Sequence, residues 1–285
     1  MLKKILIMFF LSFSLLLSED KGWDGFEDPG FGNFSFLTTS WGELDFFDSW
    51  QILSTFYFDV YYYNEVVVQD VVDYGDQVYD MIIEDFGWLY FSMPKRVSIY
   101  IYRNAAEYAR KTDMSQWAGG HADLKQNAIY SYEQKNIFAN VIVHELTHLV
   151  FDAYMGYPRC MAINWLHEGV AIYEEKKVLN KVWKLKYLKD LDKQGELISI
   201  RDLFKTHIGL QETSQKVGLW YFEVGTLIAY LRTLDKDGFR IFTQNLKNYN
   251  NIVEALKMTY PWGFKGIDDL EKGWKNWLYQ KGDTI

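Results

Sequence analysis

Residues 141 to 150 read VIVHELTHLV, two histidines and a glutamate inside a run whose other members are aliphatic apart from Thr147. A segment this apolar belongs in a core, and ionisable groups are costly to bury there unless something compensates them. The helical repeat limits what that compensation can be. Residues four apart on a helix are separated by about 40° around the axis and about 6 Å along it. His144 and His148 therefore project from one face and can share a single ion. The alternative is an ordinary buried helix with two hydrogen-bonded histidines.

Around this segment the patterning is mixed. STFYFDVYYYN (54 to 64) alternates and is full of aromatics, as a strand should be, and EVVVQDVVDYGDQVYDMIIEDFG predicts a helix ending near Gly87. KRVSIYIY (95 to 102) predicts a strand, NAAEYARKT a helix capped by Asn104, and WAGGHADLKQNAIYSYEQ a glycine turn followed by a strand from Ala128 to Tyr132. The histidine helix, IFANVIVHELTHLVFDAYMG, closes at Gly156 with Pro158 beyond it. From Trp165 onward the patterns are helical almost to the end. Within that stretch, KKVLNKVWKLKYLK (176 to 189) reads as an amphipathic helix with a solvated lysine face. The expected fold class is α+β. A lobe over 55–175, with a small mixed sheet and the histidine helix, is followed by an α-helical lobe over 176–285. No repeat or low-complexity linker separates them, so they are read as one unit meeting at the histidine helix.

Composition enters where it excludes classes. A hydrophobic fraction of 49% rules out a disordered or fibrous chain, and a net charge of −8 argues against nucleic acid as a partner. Residues 1–18, MLKKILIMFFLSFSLLLS, resemble a secretory signal peptide: two lysines, then an apolar run from Ile5 to Leu17. That run is short of the about 20 apolar residues a bilayer span takes, so the mature form is expected to have no integral membrane span. An aromatic, glycine-rich segment with no helical period occupies 19–54 and is expected to be irregular or short-stranded. The single cysteine, Cys160, allows no intramolecular disulfide and reads as a small buried side chain. These features together suggest an exported bacterial protein that is periplasmic, held in the cell envelope or secreted.

A catalytic ion held by two histidines usually takes a third protein ligand and leaves one position to water. NWLHEGVAIYEE (164 to 175) offers Glu168, twenty positions beyond His148. His-Glu-x-x-His on a helix is a signature of zinc-dependent metalloproteases. With the Trp-Leu-x-Glu-Gly setting of Glu168, the chain resembles the gluzincin metallopeptidases, the thermolysin and aminopeptidase N-like group. It looks most like their bacterial peptidase MA-like family, over roughly residues 55 to 280. The resemblance implies a Zn²⁺ cofactor held by His144, His148 and Glu168, and a peptide or protein as the partner acted on. It also implies that Glu145 is the general base on the attacking water. His167 is expected to stand beside the ligands without joining them, because adjacent helical residues point about 100° apart.

Three further roles follow from the same likeness. Glu175 lies two turns beyond Glu168 and is the candidate to orient His144 from behind, the alternative being a surface glutamate beside Glu174 and Lys176. Tyr221 stands nine residues before Tyr230 in YFEVGTLIAYL, the register of the tyrosine that donates to the oxyanion in aminopeptidase N-like proteins, with His207 a distant substitute and a core tyrosine the alternative. The glycines of WAGGHAD and the strand NAIYSY resemble the edge strand against which gluzincins lay an extended substrate. His121 is then a candidate substrate contact, set against a solvent-exposed turn histidine. The aminopeptidases also carry a Gly-x-Met-Glu-Asn segment whose glutamate holds the substrate's free amine, and WAGGHAD has no glutamate. Endopeptidase action is the expectation, with an aminopeptidase and a catalytically inactive zinc-binding envelope module as rivals.

Overall fold

The computed structural model describes residues 50–88, 90–115, 118–156, 163–205, 214–235, 237–249 and 251–283. The signal-peptide reading of 1–18, almost all of the 19–54 segment, Cys160, Pro158 and His207 lie outside the described residues.

Five short strands form one sheet: β1 (Gln51–Ser54), β2 (Phe58–Tyr62), β3 (Val97–Tyr102), β4 (Gly120–Asp123) and β5 (Ala128–Tyr132), in the order β1-β2-β3-β5-β4. β2, β3 and β5 run parallel, while β1 and β4 close the two edges in antiparallel pairing. Parallel neighbours need a crossover, and helices supply it. α1 (Glu65–Asp85) connects β2 to β3, and α2 (Ala105–Thr112) follows β3 on the way to β4 and β5. Both helices begin on an asparagine whose side-chain oxygen accepts a backbone N–H, Asn64 from Val66 and Asn104 from Glu107. Alternation along the strands sends Val60, Ile99 and Ile129 into the core and leaves Tyr61, Tyr100 and Tyr130 half-buried on the other face.

A five-residue π-helical segment (Phe138–Ile142) runs straight into α3 (Val143–Met155), which ends at Gly156 with φ 82°. The remaining helices are α4 (Asn164–Val178), α5 (Leu185–Gln194), α6 (Ile200–Leu203), α7 (Ser214–Leu234), α8 (Gly238–Tyr249), α9 (Ile252–Thr259) and α10 (Ile267–Gln280). One hydrophobic cluster runs from Phe58 on β2 through α1, α3, α4 and α7 to Leu278 on α10, so the sheet and the C-terminal helices share a core.

Several expectations are corrected. The stretch from 54 to 64 is not one strand, because β1 ends at Ser54 and the chain turns before β2 begins at Phe58. Thr55 and the backbone of Phe56 and Tyr57 are tied there by the carboxylate of Asp76. The glycine turn proves to be strand β4, and NAIYSY is an interior strand; β4 is the edge. His121 therefore sits in a strand and not in an exposed turn. The lysine-rich stretch 176 to 189 is not one helix either. It breaks after Val178, where Asn180 adopts φ 50°, and resumes at Leu185. Glu174 and Lys176 are buried and not on the surface, with the Lys176 ammonium over the ring of Trp183.

Candidate metal centre

The nine residues from Val143 to Phe151 are all buried, the ionisable His144, Glu145 and His148 among them. Across from it lies α4, which begins at Asn164 and presents Glu168, a side chain with 0% exposure. The Nε2 atoms of His144 and His148 stand 3.6 and 3.5 Å from the same oxygen, Oε2 of Glu168. These separations are longer than a hydrogen bond. They match instead the about 3.3–3.4 Å that separates ligand atoms arranged tetrahedrally at about 2.0–2.1 Å from one ion. The three ligand atoms lie within 4.8 Å of one another. The donor set, two imidazoles and one carboxylate, is the chemistry of a zinc site with an open position.

The surroundings of the triad are also polar, with Glu175 buried and His167 and Asp152 half-buried. Nδ1 of His144 is 3.4 Å from Oε2 of Glu175 on the next turn but one of α4, which fixes the orientation of the ring from behind. Nε2 of His167 pairs with Oδ1 of Asp152 at 2.9 Å, and the His167 ring stacks on His148 with centroids 4.0 Å apart. His167 thus braces a ligand and does not belong to the triad. Asp152 was absent from the sequence reading. Its one signal there is its position four residues beyond His148, on the same face of α3.

Electrostatics follow from burial and from these pairs. Burial alone would lower the pKa of His144, yet the carboxylates of Glu168 and Glu175 hold it up at about 10. Burial and the charge of His167 push His148 down to about 4. Glu168 would be raised by burial, but His148 and the neighbouring imidazoles of His144 and His167 outweigh that and keep it well below the carboxylate range. The pocket is built to hold positive charge. Glu145 is different: burial raises it to about 8, with Glu168 adding to the rise while His144, His167 and the backbone N–H of Ala122 oppose it.

Two glycines set how closely the neighbouring elements approach. A Cβ on Gly120 would lie 2.6 Å from Cγ1 of Val141 and 2.9 Å from the carbonyl oxygen of Tyr130, so only glycine lets β4 lie against the start of the histidine helix. That contact brings Ala122 to Glu145. A Cβ on Gly169 would lie 2.8 Å from Cγ1 of Ile228 and 2.9 Å from the carbonyl oxygen of Val224, so the residue after Glu168 admits the backbone of α7. In consequence the Tyr221 hydroxyl reaches the site, close enough for the carboxylates of Glu168 and Glu145 to act on it. Burial, reinforced by both carboxylates, raises its pKa well above the ordinary phenol value.

The structure therefore brings His144, Glu145, His148, Glu168, Glu175 and Tyr221 into one buried site, while His121 stands at its margin on β4. Its Nδ1 lies 2.8 Å from the hydroxyl of Tyr108. A family profile described as the peptidase MA superfamily matches residues 89–280, which is most of the chain and includes every one of these residues. The chain belongs to the peptidase MA superfamily. Among curated proteins, none matches it. The matched stretch begins after α1, so the first two strands and the first helix complete the sheet of this peptidase MA domain from outside the matched residues.

Proposed function

We propose that this protein is an exported zinc-dependent metallopeptidase of gluzincin type that cleaves within peptide chains. The observation that carries the reading is Glu145, a carboxyl with 1% exposure placed beside three convergent metal-ligand side chains. A purely structural ion site has no use for a further buried carboxyl at its edge, which favours the enzyme over the inactive binding module. Zinc, when bound by His144, His148 and Glu168, supplies Lewis acidity that polarises a carbonyl and acidifies water. Glu145 takes a proton from the attacking water and returns it to the leaving amine. Tyr221 stays protonated and donates its hydroxyl hydrogen to the oxyanion that develops on the attacked carbonyl. Glu175 holds the His144 ring in place throughout.

The edge strand supports an extended peptide laid main chain to main chain along β4. Cleavage inside a chain is favoured over removal of the first residue, because β4 offers no acid for a free amine. Its one carboxylate, Asp123, already accepts the backbone N–H groups of Lys125 and Gln126 and the side-chain amide of Gln126. The signal-like N-terminus supports export.

The test is Glu145→Gln, which is nearly isosteric but takes no proton at neutral pH. Zinc content and melting temperature stay at wild-type values, while cleavage of internally blocked peptides falls by about 10²–10⁴. A wild type that binds zinc yet cleaves nothing in a diverse peptide library, with the variant indistinguishable from it, overturns the catalytic reading in favour of a binding module. A strict requirement for a free amine terminus favours the aminopeptidase.

A further inference from the structure

The sheet face opposite the main core carries a row of side chains, one from each strand and all in register. Ile52 lies opposite Tyr61, Tyr61 opposite Tyr100, Tyr100 opposite Tyr130, and Tyr130 opposite His121. The four rings stack in sequence, with centroid separations of 4.5, 5.0 and 5.0 Å and interplanar angles of 12°, 9° and 16°. Such pairs contribute about 0.5–1.5 kcal/mol beyond the area they bury. The row stops at His121 because β4 is the edge strand, and that strand lies against the start of the histidine helix through Gly120 and Val141.

His121 is prepared to act as a ring. The Tyr108 hydroxyl holds its Nδ1, and among the described residues Tyr108 and Tyr130 are its ring neighbours. Burial pushes its pKa down to about 4 against the opposing charge of Asp123, so it is neutral at pH 7. Backbone N–H groups alternate sides along a strand. Asn127 and Glu133 turn their backbones toward β3, so Tyr130 between them turns toward β4, and His121, its partner, turns its own backbone toward β5 and leaves on its outer side a position without ladder hydrogen bonds. An antiparallel strand added at such a position brings the facing residues closest, with Cα atoms about 4.5 Å apart.

We propose that His121 is a specificity-determining residue that reads an aromatic side chain: a peptide added as a sixth strand on β4 places Phe, Tyr or Trp opposite His121 and continues the stack by one ring. The inference rests on the proposed use of β4 as the substrate edge, and it adds a substrate class, namely peptides aromatic at that one position. An aliphatic side chain there covers the ring but lacks the face-to-face aromatic contact.

The test uses the full chain carrying Glu145→Gln, loaded with zinc, and two blocked nonapeptide series that scan a single Phe or a single Leu along an otherwise constant sequence. Binding is read by fluorescence anisotropy. In one register the Phe peptide binds about 3–10-fold tighter than its Leu counterpart, the factor that corresponds to one aromatic pair. The preference persists in His121→Phe and disappears in His121→Ala. Should His121→Ala melt early, His121→Leu keeps the bulk without the aromatic face and loses the preference in the same way. Equal binding of the two series, no measurable binding of either, or a preference that survives in a folded His121→Ala or His121→Leu protein overturns the inference. Cleavage of the same peptides by the wild type is scored separately. A wild type that cleaves without aromatic preference removes the inference and leaves the peptidase reading intact. One that binds with preference but does not cleave does the reverse.

Discussion

Tyr221 and Tyr100 are the same side chain in two regions, and the molecule uses opposite ends of it. Tyr221, 3% exposed on α7, has its hydroxyl against Glu168 and within the field of Glu145, and its pKa is raised well above the phenol range by burial and by those two charges. Tyr100 is half-buried in the aromatic row, with its ring faces covered by Tyr61 and Tyr130. Its pKa is also raised, first by burial and then by the neighbouring Tyr61, but no carboxylate is among the causes. In the helical pocket the hydroxyl meets the buried carboxylates and the ring delivers it there. On the sheet the ring does the packing and the hydroxyl is incidental. A tyrosine's role is therefore set by what the fold places at its oxygen.

Substitutions can break this contrast. The largest effect is expected from Tyr221→Phe, which keeps the ring and removes one donor: turnover falls by about 10²–10³, worth about 2.7–4 kcal/mol, with zinc content and melting temperature unchanged. Wild-type turnover in that variant would remove Tyr221 from the mechanism and leave it a core residue like any other. Next is Gly169→Ala, which touches neither metal nor substrate. The added methyl meets the Val224 carbonyl and Ile228, so α7 must move off α4 at a cost of about 1–3 kcal/mol. Thermal unfolding should drop accordingly, and turnover should fall too, because the same movement draws Tyr221 away from Glu168. A variant that loses stability with turnover untouched would show that Tyr221 does not depend on the α4–α7 approach. The smallest effect belongs to Tyr100→Leu, which interrupts the row and costs about 0.5–1.5 kcal/mol for each ring pair lost. Zinc content should stay at the wild-type value, and any loss of metal would show the two regions to be coupled.

The local parts of this protein were open to reading in its residues. The asparagine cap at 104, the stop at Gly156 and the strand 128–132 each depend on neighbours within a few positions, and they stand where the patterns put them. β4 was missed because four residues, GHAD, carry no period, and pairing with β5 makes them a strand. The break at Asn180 was missed because lysines and apolar residues keep their helical spacing across it. Burial of Glu174 and Lys176 was missed for a related reason. Charge along a sequence suggests solvent, and only the packing of α4 against its neighbours overrides that suggestion.

By itself the sequence determined the shared face of His144 and His148, because the pitch of one helix leaves residues four apart no other relation. It also carried Glu168 and Glu175 on a second helix at matching spacing. The tertiary structure alone decided that Glu168 faces the histidines, that Tyr221 from a distant helix reaches Glu168, and that Asp152 braces His167. The reason is that backbone hydrogen bonds tie positions together within an element, whereas nothing local sets the register of one helix against another. Here steric fit sets it, where Gly169 admits the backbone of α7 and Gly120 brings β4 against the start of the histidine helix.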